Sequence, residues 1–482
     1  MTDLGFRSAR RLARLIDKKE IGCLELLDHM IARVEKHDPK INAVVVRDFE
    51  RARERARAAD DVRGGDRGPL HGVPMTVKES FNIASLPTTW GVEANRNNLA
   101  SRNAVVVDRL NAAGAIIFGK TNVSVMLGDW QSFNPVYGST GNPWDLARTP
   151  GGSSGGGAAA LCAGLTGLEA GSDIGGSIRQ PAHNCGVFAH KPTWSLIPTY
   201  GHSPVEGVAG MLDITVVGPL ARSADDLEIA LDLLAGPEAS ETGLRYRLPK
   251  PRASKLKDLR VAVWAEDEAT HTDAETTSAL HGLARFLERE GAAVSLAARP
   301  AIEPRVAFEV YLQLLSAATN SRAPAEQLAR LKESAASLAP DDRSARAVHL
   351  RAADLPHREW IVLNERRMRM RRAWGAFFQD WDVLLCPVLG VPPQLKMEDR
   401  PIHELQTTVN NVTVPWGELL FWPGVVGGVH LPASVAPLGR TPGGLPIGVQ
   451  IVGPLYGDRT TIAVAQMLEE GWRKFEAPAG WA

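Results

Sequence analysis

The chain has 482 residues, with 54 Lys and Arg against 55 Asp and Glu, 44% hydrophobic and 23% charged; these are the proportions of a folded globular protein and exclude disorder, collagen and long coiled coil. A net charge of −1 argues against a protein that coats nucleic acid. A chain of this length buries roughly three quarters of its unfolded surface, so disulfides are not needed for stability.

The amino terminus, MTDLGFRSARRLARLIDKKE, is basic, yet Asp3, Asp17, Glu20 and the absence of an apolar segment do not fit a signal or transit peptide. From Ala9 to about Asp61 the apolar residues recur at helical spacing (Leu12, Leu15, Ile16, then Leu24, Leu27, Met30, Ile31, Val34), which predicts two amphipathic helices. Arg47 to Asp61 alternates Arg with Asp and Glu and reads as a solvated helix carrying i,i+4 pairs, as does the Arg-rich run from Asn364 to Arg372. In HGVPMTVK, His71 to Lys78, the residues Val73, Met75 and Val77 alternate with Pro74, Thr76 and Lys78, a strand with Lys78 on the face opposite the valines. Ala104 to Thr121 predicts a helix feeding a strand at Ala115 to Phe118. Leu259 to Trp264, Ala274 to Arg289 and Ala293 to Leu296 predict another β-α-β unit, and Gly236 to Pro251 reads as a boundary or insertion. Gly443 to Gly453 predicts a turn and a strand, and Arg459 to Trp472 a closing helix. The expected fold is α/β, one large mixed-sheet unit over 1–482: a helical prelude (1–61), a glycine-rich core (65–237) and a carboxyl-terminal part (255–482) that completes the sheet.

Cys23, Cys162, Cys185 and Cys386 lie far apart with no C-x-x-C pair, and no H-E-x-x-H occurs. These patterns give no zinc site, redox motif or disulfide framework. The thiols read as buried in a reducing compartment, so a cytoplasmic address is expected, with no metal and no cofactor. No run reaches about 18 apolar residues, so no membrane span is expected.

The 45 glycines, about 9% against a usual ~7%, concentrate in PGGSSGGGAAALCAGLTGLEAGSDIGGSIR, Pro150 to Arg179. The tract is too apolar for a flexible linker and matches no phosphate loop. Gly151 to Gly155 satisfies G-x-S-x-G, but that motif must follow a strand, and NPWDLART before it holds turn formers instead. The remaining reading pairs the serines with Lys78. A serine hydroxyl needs a base to become nucleophilic, and a lysine serves only when neutral. With a reference pKa of about 10.4, neutrality at pH 7 costs about 4.6 kcal/mol, a gap that burial can close.

Together with GVPMTVKES, GKTNVS, NPWD, CGVFAHKPT, GPLARSADDL and LPIGVQIVGP, this tract resembles the amidase signature family over nearly the whole chain. The resemblance implies a mixed sheet sandwiched by helices and amide hydrolysis by a Lys, cis-Ser, Ser triad. The matching residues are Lys78 as base, Ser153 as the cis-serine relay and Ser177 as nucleophile. Gly175 and Gly176 would let the N–H groups of Ile174, Gly175, Gly176 and Ser177 converge on the oxyanion. Ser154 and Arg179 match supporting positions, and Asp173 beside Arg179 reads as an ion pair. Gly157 stands where serine is common and His190 where an apolar residue is usual; His190 reads as a packed histidine. The substrate-facing loops would be Met126 to Ser132 and Thr407 to Gly427, with Leu127, Trp130, Trp416 and Phe421 as pocket residues beside Trp422. Their aromatic content favours an apolar or aryl group.

The expected partner is a small-molecule amide, ester or carbamate, with no nucleic acid and no membrane; a homodimer stands open as the assembly. One alternative is the amidase component of a glutamyl-tRNA amidotransferase, whose partners are sister subunits and tRNA. Its loop after the TN motif is TNMDEFAMGSS-like, whereas here TNVSVMLGDWQS favours a stand-alone enzyme. Further alternatives are an α/β-hydrolase esterase using Ser153 with a His and an Asp, and an interaction-only protein.

Overall fold

The computed structural model describes residues 3–62 and 64–481; residues 1 and 2 of the prelude lie outside them. Eleven strands form one continuous mixed sheet in the order Val44–Arg47, Ile116–Thr121, Pro74–Lys78, Glu169–Asp173, Val216–Ala221, Phe188–Lys191, Ala433–Arg440, Pro446–Val452, Val383–Pro387, Arg260–Val263 and Ala293–Ser295. The glycine-rich core and the carboxyl-terminal part join where Ala433–Arg440 pairs antiparallel with Phe188–Lys191. Helices flank the sheet, and none among the described residues is long and apolar enough to cross a membrane.

The predicted prelude helices are Ala9–Asp17 and Cys23–Ile41. The first is capped by Ser8, whose hydroxyl accepts the N–H of Arg11, and it buries Ala9, Leu12 and Ile16. The second ends at Asn42 in the left-handed region (φ 59°). The short edge strand Val44–Arg47 then intervenes, hidden from a helical-periodicity reading because four residues hold no helical turn. The solvated helix is Phe49–Asp60, which buries only Ala52 and Ala56. Its ion pairs run i,i+3, from Arg51 to Asp48 and from Arg53 to Glu50, and across to Asp28 of the neighbouring helix.

The Arg-rich run differs more from expectation. It lies in the helix His357–Asp380, and Arg369 makes the expected exposed i,i+4 pair with Glu365. Arg367, however, is buried, bound to Asp213 at 2.7 Å and facing His430. A periodic charge pattern does not reveal that a loop folds back over one of its turns.

Pro74–Lys78 runs parallel to both of its neighbours and is buried along its whole length. Lys78 is therefore not on an open face: a strand between two parallel strands has helices over both sides. The predicted β-α-β unit forms Arg260–Val263, Ala274–Arg289 and Ala293–Ser295, with the two strands parallel and adjacent. Residues 236–251 carry no helix or strand. His190 packs as expected, fully buried between Ser434 and Asp458.

Candidate active site

Lys78 ends the strand Pro74–Lys78 with its side chain sealed from water. Its Nζ donates to Ser153 Oγ at 2.7 Å and lies 2.9 Å from Ser172 Oγ. Burial draws its pKa down to about 7, against the opposing pull of Asp173 and Glu169. Ser172, which the sequence reading did not single out, thus holds the same nitrogen as Ser153. Its signal was a hydroxyl in GSD, the last strand residues before the turn that carries Ser177.

Ser153 follows a cis peptide bond with Gly152 and precedes the helix Gly155–Cys162. Residues 142–149 contain turns rather than a strand, and Ser153 is bonded to a lysine rather than a histidine. Neither requirement of a nucleophile elbow is met. Ser154 ties the two turns together: its N–H donates to the Ser177 carbonyl at 3.2 Å, and its hydroxyl donates to the Ser172 carbonyl at 3.3 Å.

Ser177 follows Gly176, whose φ of 97° is open to glycine and strained for other residues. No hydrogen bond joins the Ser153 and Ser177 side chains among the described residues; Ser177 instead lines the substrate-sized cleft. The turn before it is held from both sides. Trp130 donates its indole N–H to the Gly175 carbonyl at 2.9 Å, and Tyr311 donates its hydroxyl to the Ile174 carbonyl at 3.2 Å. One of the four N–H groups expected to meet the oxyanion is already taken. Gly176 N–H donates to Asp173 at 2.9 Å, while the N–H groups of Ile174, Gly175 and Ser177 find no acceptor among the described residues.

Asp173 and Arg179 form the expected ion pair, both fully buried, through Nη2–Oδ1 at 2.8 Å and Nε–Oδ2 at 3.0 Å. Burial alone would raise Asp173, but the Arg179 guanidinium overrides it and holds the carboxyl down at about 2. Arg179 also donates to the Pro423 carbonyl and to Gln450, locking the turn onto the carboxyl-terminal half. Gly157 has a local cause as well. A Cβ there would stand 2.5 Å from Glu169 Cγ, because the Glu169 side chain fills that space. Glu169 is buried, which pushes its carboxyl up to about 8, and Thr76 and Thr121 donate their hydroxyls to it.

Above Ser177 opens a cleft of about 900 Å³ whose lining includes Leu127, Trp130, Ile174, Trp416 and Leu420. Phe421 does not reach it. That ring is fully buried between Trp264, Phe308 and Trp422, with centroids 6.1, 5.7 and 5.1 Å away, so it is core and not pocket. Trp422 is likewise buried, donating to Thr272. The sequence reading missed the opposite wall, built by Leu312 and Leu315 of the helix Pro304–Thr319 and Leu331 of the helix Ala325–Ala336.

Comparison with known proteins agrees with this architecture. The family model Amidase matches residues 25–462. Human fatty-acid amide hydrolase 2 is 30% identical over 96% of the chain and 89% of its own length. Indoleacetamide hydrolase of Bradyrhizobium diazoefficiens is 32% identical over 96% and 86%. A glutamyl-tRNA(Gln) amidotransferase subunit of Anaeromyxobacter sp. (strain K) is 31% identical over 95% of both. A solved bacterial aryl acylamidase of the amidase signature family shares the fold with a TM-score of 0.82 at 22% identity, covering 98% of this chain and 99% of that one.

Proposed function

Because the chain belongs to the amidase family and is an amide-hydrolysing enzyme, we propose that it cleaves a carboxylic amide through an acyl-enzyme on Ser177. Ser153 relays the proton and neutral Lys78 is the base. The observation that carries this reading is the 2.7 Å bond from Lys78 Nζ to Ser153 Oγ at a site closed to water. A lysine near 7 is substantially neutral at neutral pH and can take a proton.

In the first step Ser177 Oγ bonds to the substrate carbonyl carbon as its proton passes to Ser153 and that of Ser153 passes to Lys78. This requires the Ser177 side chain to turn toward Ser153 when substrate binds, since catalytic hydrogen bonds often tighten only in the complex. The oxyanion is met by the N–H groups of Ile174, Gly175 and Ser177; each donor of this kind is worth about 2.7–4 kcal/mol of barrier. The proton returns through Ser153 to the nitrogen of the leaving amine as the C–N bond breaks. Water then attacks the acyl ester, giving its proton back along the same path and releasing the acid.

The apolar lining of the cleft supports an apolar or aryl group on the substrate, as do relatives named for fatty-acid amides and indoleacetamide. Esters and carbamates pass through the same tetrahedral species and fall within this reading. The similarity to one component of an amidotransferase supports a second reading, membership of a complex, which would show as sister subunits co-purifying with the chain. The test is a hydrolysis panel of aliphatic amides, anilides, carbamates and peptide amides. Turnover of apolar or aryl amides that Ser177→Ala abolishes is expected. No turnover, or turnover surviving that substitution, overturns the reading.

A further inference from the structure

Asp129 is a carboxylate in the cleft wall without a cation. It lines the cleft together with Leu127, Trp130, Gly175 and Ser177, and among the described residues it makes no ion pair. The charge acting on it is Glu398, of like sign, and burial pushes its carboxyl up to about 6. Its partners are its own loop, chiefly the Gln131 N–H, which donates to Oδ1 at 2.9 Å. The other carboxylates along the cleft have basic neighbours: Glu418 pairs with Arg305, Glu404 lies 3.7 Å from His403, and Asp342 feels Arg351 and Arg346.

The position of Asp129 is fixed relative to both reacting turns. Its carbonyl oxygen packs on Gly152, where a Cβ would come within 2.5 Å. Ser124 Oγ donates to that carbonyl at 3.1 Å and accepts the Asp129 N–H at 3.2 Å. The next residue, Trp130, is tied to Gly175. The Gln131 donor offsets only part of the cost of burying this anion, because burial still outweighs it and no cation stands beside the carboxyl.

We infer that Asp129 is a specificity-determining residue that receives a primary ammonium carried by the substrate near its scissile carbonyl, which makes amides of apolar amino acids the substrate class. The inference rests on the amidase reading of this cleft, but it can be tested without turnover. The Ser177→Ala enzyme is titrated calorimetrically at pH 7 with leucinamide and with 4-methylpentanamide, which has the same shape without the ammonium.

Leucinamide should bind about tenfold or more tightly, the size of a charge-assisted contact, and Asp129→Asn in that background should erase the difference. Independently of that second variant, the preference should shrink as the pH is lowered through about 6, where Asp129 takes up a proton. Equal affinities, a ratio unchanged by Asp129→Asn, or binding of neither amide would overturn the assignment. A preserved ratio in an enzyme that hydrolyses no amide would instead refute the amidase reading alone.

Discussion

Lys78 reaches Ser153 across 2.7 Å while its nitrogen has no access to solvent, a pairing that burial shapes in two ways. Burial makes the lysine a usable base and makes its protonated form unwelcome in the fold. Both effects can be measured.

Activity should follow the neutral form. With Lys78 near 7, kcat/KM should fall about tenfold per pH unit below that value and level off above it. A pH profile on one apolar amide checks this; an acid limb centred near 4 would indicate a carboxylate instead.

Stability should carry the same signature. The folded pKa of Lys78 lies below the unfolded value of about 10.4, so protons bind the unfolded state preferentially between the two values. Stability is therefore lost as pH falls from about 10 toward 7, and no further below that. Lys78→Met removes this dependence, so its stability relative to the parent should improve by about 3 kcal/mol on going from pH 9.5 to pH 7, even as turnover vanishes. Urea titrations at the two pH values measure the shift.

Trp130→Phe keeps a ring in the cleft wall but leaves the Gly175 carbonyl without its 2.9 Å donor. The loosened oxyanion turn should lower kcat by about tenfold, consistent with a lost hydrogen bond of about 1–3 kcal/mol, with little change in Tm. Steady-state kinetics beside a thermal melt separates the two effects.

Gly157→Ser places a Cβ 2.5 Å from Glu169 Cγ and should destabilise the fold by about 1–3 kcal/mol. Shortening the neighbour in Gly157→Ser/Glu169→Ala should recover part of that loss. A double-mutant cycle in urea gives the coupling, and strict additivity would show that Glu169 is not what excludes the serine.

Arg179→Met leaves Asp173 as an unpaired charge in a site sealed from water. A loss of about 3–5 kcal/mol is expected, read as a lowered Tm. Asp173→Asn in the Arg179→Met background should restore part of it.

Much of the sheet was legible because its local signals agree: the alternation before Lys78, the β-α-β unit around Ala274–Arg289 and the turn before Pro446–Val452 each lie where periodicity and glycines place them. Family motifs led directly to Lys78, Ser153 and Ser177, and the structure brings the first two within a hydrogen bond. What escaped depends on contacts between distant segments. Phe421 reads like a pocket aromatic, and only the packing of Trp264 and Phe308 around it makes it core. Ser172 is one hydroxyl among many until Lys78 turns toward it. Gly176 is expected to donate to the oxyanion, but Asp173, three residues earlier, folds back and accepts its N–H. Leu312, Leu315 and Leu331 form a cleft wall because two helices from outside the motifs are laid over Ser177.

The nucleophile is the centre of this account, and a fluorophosphonate probe tests it most directly. After labelling of the intact enzyme and proteolysis, mass spectrometry should place the adduct on Ser177, with labelling lost in Lys78→Met. An adduct on Ser153 with Ser177 unmodified would contradict the assignment of base, relay and nucleophile.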